Sequence, residues 1–108
     1  MHETRRIALL KAVETRRDEV ATLTRDLVRF PTVNPPGAGY EACARFIGET
    51  LEALGFTVEY VRAAGAFADC DQNPRVNVIG RREGRQSGPC VHFNSHFDVV
   101  PTGEGWTV

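Results

Sequence analysis

The sequence predicts an α/β fold in which two helices are followed by three strands, and three observations carry that prediction. Apolar residues recur at helical spacing in the first half, they alternate with polar ones in the second, and connectors rich in proline and glycine separate the segments. Helices that precede strands, with helical connections, point to layering of helix on sheet.

The first helix is read over residues 13–30. Val13, Val20, Leu23, Leu27 and Phe30 fall within about 100° of arc, while Arg16, Arg17, Asp18, Arg25 and Arg29 cover the rest. Ile7 and Leu10 lie off that stripe and Thr15-Arg16-Arg17-Asp18 reads as an imperfect cap, so the residues before it are expected to form a separate or frayed turn. Pro31 stops the helix. The connector at 31–39 holds three prolines and two glycines, which makes it a stiff irregular loop; Asn34-Pro35-Pro36-Gly37 within it is read as a structural turn, the alternative being a loop that approaches substrate in a complete enzyme. A second helix follows over 40–54. Tyr40, Cys43, Ile47, Leu51 and Leu54 share one face, Phe46 flanks it, and Gly55 stands where a left-handed residue ends a helix.

Residues 56–61 and 75–80 alternate in the manner of half-exposed strands, with a loop at 63–74 between them. A turn at 83–88 leads to a third strand at 89–97. There is no internal repeat and no low-complexity tract.

At 108 residues the chain has room for one domain and would bury roughly two-thirds of its unfolded surface. Hydrophobic residues at 42% and charged ones at 25% exclude a disordered tail, a collagen-like rod or a membrane bundle. A net charge of −1 gives no electrostatic footprint for nucleic acid or an anionic membrane surface. The opening residues carry charges instead of an apolar signal segment, and no stretch is long and apolar enough to span a bilayer. Three cysteines, Cys43, Cys70 and Cys90, fit neither a disulfide framework nor zinc knuckles and are read as buried or incidental thiols. Together these features predict a cytoplasmic protein.

The chemistry concentrates in the third strand. His92, Asn94, His96 and Asp98 would all project from one face. A neutral imidazole is a good zinc ligand, and a carboxylate two positions further on can hold its second nitrogen and fix its orientation. Taken alone, His96-Phe97-Asp98 is a short pattern that chance also produces, and a surface histidine beside an aspartate is the bland reading.

The flanking residues extend the pattern. The segment Asn94-Ser95-His96-Phe97-Asp98-Val99-Val100-Pro101-Thr102-Gly103-Glu104-Gly105-Trp106 closely resembles the first metal-binding motif of the zinc aminoacylase and carboxypeptidase family. That family includes acetylornithine deacetylase, succinyl-diaminopimelate desuccinylase, aminoacylase-1 and glutamate carboxypeptidase. Leu27-Val28-Arg29-Phe30-Pro31-Thr32-Val33-Asn34-Pro35-Pro36-Gly37, Leu54-Gly55-Phe56 and Asn77-Val78-Ile79-Gly80 are similar to its N-terminal region, so the resemblance covers about residues 15–108.

The resemblance implies the N-terminal part of a three-layer α/β zinc-peptidase-like catalytic domain. By it, His96 is a ligand to one zinc of a two-metal centre, with cobalt or manganese as alternatives, and Asp98 is the catalytic carboxylate that orients it. The implied reaction is hydrolysis of the amide bond of an N-acyl amino acid or small peptide, the metals activating water and polarising the carbonyl. The implied complete enzyme is a homodimer. The family's remaining ligands and general base follow this motif further along the chain, so the resemblance implies an N-terminal fragment, inactive by itself. The alternative is a truncated non-catalytic relative or a small α/β interaction module.

Other residues are read more plainly. His92 and Cys90 are expected to pack in the core, His2 to be solvated, and Trp106 either to line the site entrance or to cover the sheet end. Gly37-Ala38-Gly39-Tyr40-Glu41-Ala42 matches a dinucleotide fingerprint in letters only, because Pro35 and Pro36 stand where that fold needs a strand.

Overall fold

The computed structural model describes residues 2–106. Three helices come first, α1 (His2–Glu14), α2 (Arg17–Val28) and α3 (Tyr40–Ala53), followed by two strands, β1 (Thr57–Arg62) and β2 (Val76–Arg81). The fold is α/β, with α3 laid on a two-stranded antiparallel sheet.

The expected helix at 13–30 is divided, and the residues before it form a full helix instead of a frayed turn. The chain leaves helical geometry at Arg16 (φ −102°, ψ 12°), and the Thr15 hydroxyl donates to the Ala12 carbonyl at 2.8 Å. A side chain that bonds its own preceding turn competes with the helix ladder, which accounts for the break. Val13 therefore belongs to α1 and not to the stripe of α2. No residue of either helix is buried. The radius of gyration, 17.2 Å, exceeds the roughly 13 Å of a compact chain of this length, as helices that stand away from the core require.

The second predicted helix is present as α3, and its ends follow from local chemistry. Gly39 at φ 81° leads the chain in, and Gly55 at φ 85° leads it out. The Gly55 amide donates to Glu52 and the Phe56 amide to Leu51, the paired bonds of a Schellman cap. Tyr40, Cys43, Ala44 and Gly48 are buried against the sheet. Gly48 permits the close approach: a Cβ there would collide with the Tyr60 hydroxyl.

The two strands pair in full register, with Val58 opposite Gly80, Tyr60 opposite Val78 and Arg62 opposite Val76. Val58, Tyr60, Val76, Val78 and Gly80 are the less exposed residues, which is the period-two pattern. The loop between the strands is tied down by Asp69, whose carboxylate accepts from Arg62 Nε at 3.1 Å and Nη2 at 3.0 Å and from the Arg75 amide at 2.8 Å.

The third predicted strand is absent. Residues 89–97 form no ladder, and 89–96 are exposed. A strand needs an edge to pair with, and no described strand lies alongside this segment. Cys90 and His92, expected in the core, are therefore both exposed, as is Trp106 at 75%. Of the three thiols, Cys43 is buried while Cys70 and Cys90 are not. Order returns just past the segment. Val33 and Val99 form a parallel bridge, the Val99 amide donating to Thr32 at 3.0 Å and the Asn34 amide to Val99 at 2.8 Å.

Candidate metal-ligating site

That bridge places the His96-Phe97-Asp98 motif. The Thr32 hydroxyl, on a residue only 3% exposed, donates to the Phe97 carbonyl at 2.6 Å. The Phe97 ring meets Tyr40 edge-on, with centroids 5.6 Å apart. Residue 97 is thus anchored inward on both backbone and side chain, and its neighbours His96 and Asp98 are left facing the outer side.

His96 Nδ1 lies 2.9 Å from Asp98 Oδ1 and 3.0 Å from the Asp98 carbonyl oxygen. Both partners accept only, so Nδ1 carries the proton of the neutral ring. The lone pair of the other nitrogen, Nε2, then points away from the carboxylate on a side chain that is 84% exposed. This is the arrangement by which a carboxylate readies a histidine to bind a metal.

Asp98 itself is supported from behind. Asn34 Nδ2 donates to its Oδ2 at 3.5 Å, and Asn34 Oδ1 accepts from Arg75 Nη2 at 3.2 Å. The Arg75 guanidinium lies over the Tyr40 ring, 4.7 Å from its centroid. Burial would raise the Asp98 carboxyl, but hydrogen bonds from His96 and Asn34, with the His96 ring and Tyr40 adding to them, leave it below its ordinary value. For Tyr40 the balance runs the other way: burial, then the Asp98 charge, raises the phenol against the opposing pull of Arg75.

The donor chemistry fits a divalent metal for one ligand and its orienting carboxylate. A complete tetrahedral shell needs four ligands, and among the described residues no three histidine, cysteine or acidic side chains converge. His92 is four positions from His96 but makes no bond to the site. Of the residues gathered here, sequence reading singled out His96 and Asp98. It treated Asn34 as part of a turn, Tyr40 as a helix-face residue and Arg75 as the start of a strand, with no signal that joined them.

Comparison with known proteins finds relatives along most of the chain. Over 85 residues, 79% of the chain, it is 42% identical to succinyl-diaminopimelate desuccinylase from Rhizorhabdus wittichii. Over 84 residues it is 36% identical to the enzyme of that name from Acidiphilium cryptum, and over 89 residues 33% identical to that from Pelagibacter ubique. The chain is similar to these desuccinylases over about four-fifths of its own length. It spans about a fifth of their length, 20%, 19% and 21% respectively. No family profile matches the chain, and no solved structure matches it. No described helix is long and apolar enough to cross a membrane.

Proposed function

We propose that these 108 residues form the N-terminal portion of the catalytic domain of a metal-dependent amidohydrolase acting on N-acyl amino acids or small peptides, of the kind of the desuccinylases and acetylornithine deacetylases. The observation that carries the reading is the 2.9 Å bond from His96 Nδ1 to Asp98, which leaves Nε2 available to a metal. In this reading His96 is one ligand and Asp98 fixes its tautomer and direction. Zinc is the default ion, with cobalt or manganese as replacements, because imidazole and carboxylate ligands discriminate weakly among them. The metal supplies activation of water and polarisation of the amide carbonyl. The remaining ligands and the general base come from the part of the enzyme that these residues do not include, and the portion alone is inactive. The complete enzyme is a cytoplasmic homodimer.

Two measurements test this. The native gene product, detected with an antibody to these residues, is expected to be several-fold heavier than 11.9 kDa. In that product His96→Ala is expected to lower metal-dependent deacylation by orders of magnitude. An unchanged rate would overturn the metal-ligand role, and a product of 11.9 kDa would leave the hydrolase relationship as ancestry without activity.

A further inference from the structure

We propose that Arg75, acting through Asn34, is a positioning residue for His96. Four side chains from three parts of the chain form a continuous line of donors and acceptors: Arg75 Nη2 to Asn34 Oδ1 at 3.2 Å, Asn34 Nδ2 to Asp98 Oδ2 at 3.5 Å, and His96 Nδ1 to Asp98 Oδ1 at 2.9 Å. The chemistry of each group dictates this order. Arginine only donates and a carboxylate only accepts, so neither can be exchanged, and the Asn34 amide between them accepts from the one and donates to the other. The line therefore fixes which way the Asn34 amide faces. It also fixes which carboxylate oxygen is occupied from behind and which remains for His96.

Arg75 is held so that it can serve as the fixed end of the line. Its amide is tied to Asp69 at 2.8 Å, and its guanidinium is stacked on Tyr40. Its other terminal nitrogen, Nη1, is buried and has no hydrogen-bond partner among the described residues. Gly37 closes over it: this residue is buried at φ 81°, and a Cβ there would occupy the place of Nη1. The turn at Asn34-Pro35-Pro36-Gly37 thus both presents the amide and makes room for the guanidinium.

The proposal deepens the metal-site reading and rests on it for its catalytic meaning, yet its first readout needs no metal. The full chain is labelled with 15N at histidine, the His96 signals are identified by their loss in His96→Gln, and ring nitrogen shifts are read near pH 8.5, where imidazole is neutral. The unsubstituted chain is expected to hold His96 as the Nδ1–H tautomer. Arg75→Ala and Asn34→Ala are each expected to turn it into a mixture of tautomers while His2 and His92 stay unmoved. Asn34→Ala leaves Arg75 and its packing in place, so it decides the matter if Arg75→Ala fails to fold. Arg75→Lys, which keeps a cationic donor, is expected to restore part of the preference. In the longer gene product, titration with Zn2+ alone is expected to show about tenfold weaker binding in both alanine variants. A His96 that remains one tautomer in folded Asn34→Ala overturns the proposal. A longer gene product that takes up no Zn2+ while the chain loses its tautomer preference overturns the metal reading and leaves the positioning role standing.

Discussion

Two stretches of this chain carry the same kind of β-forming sequence and meet different fates. Residues 76–81 pair along their length with β1, whereas residues 89–97 make no ladder. Propensity does not separate them, because Val91 and Phe93 are as strand-like as Val76 and Val78. What separates them is a partner. β1 is joined to β2 by the loop at 63–75, which Asp69 tethers, and α3 covers the face they share. Residues 89–96 have neither an edge nor a cover among the described residues, and Val91 and Phe93 stand 75% and 90% exposed. Strand formation here is a property of the pair and not of the segment.

The ordered side of this contrast breaks most severely at Tyr40, the residue that joins α3 to Phe97 and to Arg75. Tyr40→Ala removes a ring that is 8% exposed, and it is expected to cost about 3 kcal/mol in urea unfolding. A loss below about 1 kcal/mol, in the range of an ordinary substitution, would show that the contact between residue 97 and the helix adds little.

The same contrast explains what could be read in advance. α3, β1 and β2 were legible because their signals are local: a 3.6-residue stripe ending at Gly55, and two alternating runs. The division at Thr15 and Arg16 was only hinted at, since no glycine or proline marks it and the competing bond is a single hydroxyl. At the site, His96 and Asp98 were legible because two residues in sequence are also neighbours in space. Arg75 and Asn34 were not, since 41 positions separate them and only the folding of the connector against β2 brings them together. Likewise, the exposure of Cys90 and His92 depends on whether a neighbouring strand is present, which no pattern within residues 89–97 records.

A smaller effect is expected at Asp69, which holds the loop leading into β2. Hydrogen bonds from Arg62, then from the Arg75 amide, draw its carboxyl below the ordinary value. A carboxyl lowered in the folded state binds fewer protons there than when unfolded, so its contribution is full above the unfolded value near 4 and is lost as pH falls through the folded one. Urea midpoints measured from pH 5 down to pH 2 should therefore fall, and Asp69→Asn should flatten that decline. An unchanged acid slope in the variant would mean that other carboxylates set it.

The least effect is expected in the unpaired segment, and it is the most discriminating. Phe93→Ser removes a large apolar side chain, which in a paired and covered strand would cost about 3 kcal/mol or more. At 90% exposure the ring has little burial to lose, so the change is expected to stay within about 0.5 kcal/mol. Val91→Ser should behave alike. A loss of several kcal/mol would show that residues 89–97 find a covering surface in solution, and the distinction between the two stretches would then vanish. If instead the substitution is neutral in the 108-residue chain but costly in a longer gene product, the segment acquires its partner from outside these residues. Its order would then arise as that outside partner packs against it.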